Sequence, residues 1–190
     1  MTAVALRPSR PNGWWGMAIF VATEATLFGT LVGTWIYLRF HNAQWPPVHV
    51  EKPPVLVPVI LTLALVSTSW LMHRASSAAG LGARATALRA IGIALVVQLV
   101  YIVWELHDYV DQLHTVRPQD SAYASIRATM LGVDHAHVVV GVLLNAWLVL
   151  RLASGLSRYR VVATQSIAFY WHAVNVITVV LLALDLSVHL

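Results

Sequence analysis

The 190-residue chain is 58% hydrophobic and 11% charged, with a mean hydropathy of +0.70, which excludes an ordinary soluble domain and leaves no room for a separate extramembrane one. Its formal net charge of +4 comes from eleven Arg and one Lys against eight acids, an excess that in so apolar a chain sets membrane orientation rather than binding nucleic acid. No cysteine is present, so disulfides, Fe–S clusters and thiolate-held metals are excluded.

The first apolar run, Trp14 to Leu38, is long enough to cross a hydrocarbon core of roughly 30 Å at about 1.5 Å per residue. Near its middle stands one carboxylic acid, Glu24, with no basic residue in the run to pair with it. An ionisable group at that depth is expensive, which marks it as functional. Gly29-x-x-x-Gly33, beside Thr26 and Thr30, offers a small face for helix packing. The run is too long for a signal-peptide core and is expected to stay as an anchor.

Four further runs follow at about 55–72, 87–109, 123–152 and 163–190. Breakers separate them: Trp45-Pro46-Pro47 and Pro53-Pro54, then Gly80-Leu81-Gly82, Arg117-Pro118, and Gly155 with Ser157. The expected fold is an all-α membrane protein, a bundle of five transmembrane helices. Arg7, Arg10, Arg74, Arg84, Arg89, Arg151, Arg158 and Arg160 fall on one side without an acid. On the other side Glu51, Asp108, Asp111 and Asp120 dilute Arg39, Lys52, Arg117 and Arg127. The bias places the N-terminus in the cytoplasm and the C-terminus outside.

Polar residues inside the later runs are the remaining candidates. The third run ends in Glu105, His107 and Asp108. The fourth carries Asp134-His135-Ala136-His137 near the midplane, level with Glu24, and the fifth carries Tyr170-Trp171-His172 with Asn175 one turn on. Asp134, His137 and Gly141 share a helix face by i, i+3, i+7 spacing, whereas His135 is rotated by about 100°. A buried carboxyl needs a hydrogen-bond partner, and either His137 or Asp134 on that face could serve Glu24. Such groups act either as a proton relay or as interhelix hydrogen bonds that lock a bundle. His135-x-His137 is a poor metal signal, because ligands two apart on a helix point about 200° apart, and no metal site is expected.

Together these residues resemble subunit III of the haem-copper cytochrome c oxidases. Trp15-Gly16-Met17-Ala18-Ile19-Phe20-Val21-Ala22-Thr23-Glu24 matches that family's W-G-M-x-x-F-x-x-S/T-E segment, and Phe28-Gly29 follows as in the family. His137-Val138-Val139-Val140-Gly141 matches the end of F-H-G-x-H-V-x-x-G, and Tyr170-Trp171-His172-Ala173-Val174-Asn175-Val176 matches Y-W-H-F-V-D-V. The departures are Asp134 for the family's first histidine, His135 for its glycine and Asn175 for its aspartate. Glu105 and Asp108-Tyr109 stand where the family shows a glutamine and then Glu-Tyr or Glu-Trp.

The resemblance implies that residues 1–190 form one subunit III-like domain of the shorter five-helix bacterial form. In longer members two additional helices wall a lipid-holding cleft, so a partner subunit supplies that wall here or the cleft stands open. The expected role is an accessory, non-redox subunit of a terminal oxidase in a bacterial inner membrane, beside subunits I and II, which hold the haem and copper. It implies bound phospholipid and support of proton uptake. A subunit III-like protein of a nitric oxide reductase system is the nearest alternative. Two others come from different classes: an autonomous metalloenzyme using His107, Asp108, Asp134, His135 and His137, and a proton-coupled transporter built on Glu24.

Overall fold

The computed structural model describes residues 11–48 and 50–189. Five helices account for most of them: α1 (Asn12–His41), α2 (Leu56–Gly80), α3 (Arg84–Thr115), α4 (Ala122–Ala153) and α5 (Arg158–Leu186). Each is long and apolar enough to cross a membrane. Two short 3-10 turns, Pro118–Asp120 and Ser187–His189, complete the described secondary structure, which contains no strand. The chain is a multi-pass membrane protein.

Connectivity follows from short links. α2 packs on α3 and α5, α4 packs on the same two helices, and the four close into a ring. α1 lies outside that ring, in the groove between α4 and α5. Its isolation is visible in burial, since only Phe28 and Trp35 of its thirty residues are buried. The ring is held at one end by Leu65, Met72, Ile91, Leu148 and Trp171. Near its other end Tyr123, Ile126, Met130 and Leu181 pack under Phe28 and Trp35 of α1.

Small residues bring α2 and α3 together. Ala75, Ala78 and Ala79 lie on the buried face of α2, and Ala87, Ala90 and Ala94 on that of α3. Small side chains let helix backbones approach, which is how membrane helices gain packing energy without a hydrophobic driving force between them.

The helices overrun the apolar stretches at several ends. The sequence places the end of the second span at Met72, because His73 and Arg74 stop the apolar run; α2 continues to Gly80 because the buried alanine face persists. α3 starts at Arg84 rather than near 87, and the Arg84 side chain reaches across to α4. Its Nε donates to Leu152 O at 2.7 Å, and Nη2 donates to Ala153 O. Arg84 thereby caps the open carbonyls at the end of α4. At 32 residues each, α3 and α4 reach about 48 Å, well beyond the hydrocarbon core. The turns after α2 and α4 pass through Gly82 (φ 77°) and Gly155 (φ 121°), a backbone region that other residues adopt only with strain. Ser121 and Ser157 cap α4 and α5, accepting from Ala124 N and Arg160 N. Arg7, Arg10 and Leu190 lie outside the described residues.

Candidate functional site: polar clusters around helix α4

Glu24 on α1 meets His137 on α4, with Oε2 2.8 Å from Nε2. Nδ1 of the same imidazole is 2.7 Å from Val133 O. A carbonyl oxygen only accepts, so Nδ1 carries a hydrogen and donates it. A single proton is then left between Nε2 and Glu24. The pair is either a carboxylic acid donating to neutral imidazole or a carboxylate accepting from imidazolium, and it is formally neutral in both states. That neutrality is what makes an acid tolerable at bilayer depth. The Phe28 ring stands edge-on to His137, 5.1 Å between centroids, and Tyr170 OH donates to His137 O at 3.0 Å. Both pair members are mostly covered, the Glu24 side chain 17% and the His137 side chain 16% exposed.

The aromatic motif on α5 holds this geometry by reaching three ways. Tyr170 bonds α4 as just described. Trp171 Nε1 donates to Thr68 Oγ1 of α2 at 2.7 Å, and Asn175 Nδ2 donates to Ser69 Oγ at 2.5 Å. His172 points to neither cluster around α4; its ring lies 6.5 Å from that of His73, in a recess lined also by Trp14 and Phe169. Gly141 is the seat of Trp171: a Cβ there would lie 2.4 and 2.6 Å from ring carbons of the indole. Gly29 and Gly33 are different, since a Cβ on either meets nothing within 4 Å, and their small face has no partner among the described residues.

Asp134 is not the partner of Glu24. Its carboxylate, 3% exposed, accepts from Thr178 Oγ1 of α5 at 3.0 and 3.2 Å. The shared face predicted for Asp134 and His137 splits because α1 sits outside the ring, so His137 looks out to α1 while Asp134 looks to α5. His135 Nε2 lies 3.5 Å from Glu105 Oε2, within ion-pair reach, and the Tyr109 ring stands edge-on to its imidazole at 5.3 Å. Asp108 accepts from Gln112 Nε2. His107 instead faces Asp111 at 3.2 Å on the exposed side of α3. The five residues of the metalloenzyme alternative therefore do not converge, and among the described residues no three His, Asp or Glu side chains group as a metal site.

Sequence reasoning missed a partly buried ion pair. Arg127 on α4 donates from Nε to Asp185 Oδ1 at 2.6 Å and from Nη2 to Asp185 Oδ2 at 2.8 Å. Its Nη1 also donates to Gln112 Oε1, so a continuous network runs Asp108, Gln112, Arg127, Asp185 across α3, α4 and α5. A signal was present: opposite charges at one end of two different apolar runs. It also missed Gly132, over which Tyr109 OH passes to reach Ala128 O at 2.9 Å.

Comparison with known proteins fits this arrangement. The sequence model of the family described as cytochrome c oxidase subunit III matches residues 11–188. The chain is 27% identical over 173 residues to cytochrome c oxidase subunit 3 of Thermostichus vulcanus, covering 89% of this chain and 84% of that protein. It is 26% identical to cytochrome c oxidase subunit 3 of Bacillus subtilis (strain 168), covering 88% and 82%. It is 25% identical to the probable quinol oxidase subunit 3 of Staphylococcus haemolyticus (strain JCSC1435), covering 87% and 82%. With the family match spanning all five helices, the chain belongs to the cytochrome c oxidase subunit III family.

Proposed function

We propose that the chain is the accessory, non-redox subunit III of a terminal haem-copper oxidase in a bacterial inner membrane, packed beside subunits I and II in a hetero-oligomer. It stabilises the catalytic subunit and supports proton uptake during oxygen reduction. The observation that supports this reading is the Glu24–His137 pair, whose hydrogen bonds leave one proton between two side chains that together carry no net charge. In this reading haem and copper belong to the partner subunits. Most of α1 is exposed, so that helix has surface for phospholipid or a neighbouring subunit. The names of the relatives include both a cytochrome c oxidase and a quinol oxidase, and either class of donor is compatible with this role. Asp134 and His135, which depart from the family motif, keep a nitric oxide reductase-associated role as the second reading.

The test is purification of the tagged chain from its native membranes. Co-purification with a haem-bearing oxidase subunit is expected, together with progressive loss of activity during turnover when the chain is removed. Recovery as a lone protein with its own redox spectrum overturns the reading, and co-purification with nitric oxide reductase selects the second one.

A further inference from the structure

Apart from the Glu24 pair, the α2–α5 ring encloses a second polar site. A cavity of about 40 Å³ lies inside it, larger than the roughly 10–15 Å³ that one ordered water needs. From α3 come Tyr101, Glu105, Asp108 and Tyr109; from α4 come Arg127, Asp134 and His135. α5 adds Thr178 and Asp185, while α2 presents Thr62 and no titratable group. Four carboxyl groups thus share one guanidinium. Arg127 is committed to Asp185 through two bonds and Asp108 borders the loop-side recess, which leaves Glu105 and Asp134 with the His135 imidazole as their one candidate cation among the described residues of the cavity. Two carboxylates beside one imidazole carry excess negative charge inside a helix ring, which favours uptake of a proton or a cation.

An independent observation points to a small polar ligand at this site. His135 lines the cavity, is 3% exposed, and its Nδ1 has no hydrogen-bond partner among the described residues. Buried polar atoms are ordinarily hydrogen-bonded, to protein or to ordered water, so this nitrogen has one bond left to make. On the side of the α1–α2 and α3–α4 loops a larger recess of about 430 Å³, edged by Glu51, Lys52 and Asp111, shares Asp108, Gln112 and Arg127 with the cavity. The hydrogen-bonded row Asp108, Gln112, Arg127, Asp185 therefore stands between the loop-side recess and the inner site.

We propose that Glu105, Asp134 and His135 form a proton-exchange site, which loads from water on the loop side past the Arg127–Asp185 pair. A proton arrives as hydronium, is held as a carboxylic acid or an imidazolium, and leaves by the same route, so only O–H and N–H bonds form and break. Thr178 Oγ1 lies 3.0 Å from Asp134 Oδ1 and 3.1 Å from Val174 O, so its hydroxyl can donate to the carboxylate or, turned to Val174 O, accept from the protonated acid. The site is separate from Glu24 and His137 and does not depend on the role proposed for them.

The experiment uses the full chain in the membrane complex with which it purifies, reconstituted in proteoliposomes of known orientation. Infrared difference spectra are recorded as the pH is stepped on one side at a time, in H2O and in D2O. The expected result is a carboxylic C=O band that grows on acidifying the loop side, shifts down in D2O, and is lost in Asp134→Asn. Glu105→Gln is the second variant, expected to shift or remove the same band, and it decides the matter if Asp134→Asn does not assemble. The proposal is overturned if neither variant changes any titrating band, or if the band follows only the opposite side. It is equally overturned if the band is abolished by Na+ at constant pH, which makes this a metal-cation site.

Discussion

Replacing Glu24 by Leu should loosen α1 from the bundle. α1 buries only Phe28 and Trp35, and Glu24–His137 is its side-chain hydrogen bond to α4, so a polar tie carries an unusual share of its docking. Stranding one partner of a buried hydrogen bond costs roughly 1–3 kcal/mol. In a bilayer the separated state finds other partners, and interhelix bonds average about 0.6 kcal/mol with a maximum near 1.7. With both side chains mostly covered, the cost should be about 1–2 kcal/mol, a factor of roughly 5–30 in the opening equilibrium. Glu24→Gln should cost far less, because its amide can donate to Nε2 while Nδ1 keeps its bond to Val133 O. This chain has no cysteine, so label incorporated into it comes from an introduced thiol alone once its band is separated from the other subunits. A single Val32→Cys thiol, partly buried against the Phe28 and Trp35 cluster, reports α1 opening through its labelling rate in the purified complex. Labelling about tenfold faster in Glu24→Leu, and within about twofold of the parent in Glu24→Gln, is expected. Equal rates in all three proteins, or equal acceleration by Leu and Gln, would refute the hydrogen-bond argument.

Gly141→Ala should lower the melting temperature of the complex, because the new Cβ displaces a fully buried indole that is also tied to Thr68; overpacking and a weakened bond together cost about 2–4 kcal/mol. Asp185→Ala strands Arg127 in a pair whose side chains are 17% and 13% exposed, and should destabilise by about 3 kcal/mol in the same melt, whereas Asp185→Met combined with Arg127→Met should recover most of the loss. A reporter fused after Leu190 should be active outside the cytoplasm, as the arginine bias requires; cytoplasmic activity would invert the topology.

The helices were legible because each apolar run exceeds what a bilayer demands, and His137 was favoured as the partner of Glu24 because it combines a similar depth with the second histidine position of the family motif it resembles. Their ends were not, since α2 persists past Met72 on an alanine face and α3 begins at an arginine that serves α4. Hydropathy sees neither. Arg127 was read from the sequence only as an orientation charge, yet two bonds to Asp185 hold it inside the protein. Counting charges by side of the membrane discards the question of which charges meet.

The division of labour around α4 depends on something periodicity cannot supply, the position of α1. Angular spacing along α4 fixes only the relative directions of Asp134, His135 and His137. With α1 outside the ring, His137 turns to a single helix with much of its surface still open, while Asp134 and His135 are enclosed by four helices. Two histidine–carboxyl pairs thus face different surroundings, one outside the ring against α1 and one inside it. Of the candidates on α4, Asp134 and His135 therefore fall on the enclosed side, while His137 belongs to the peripheral pair with Glu24.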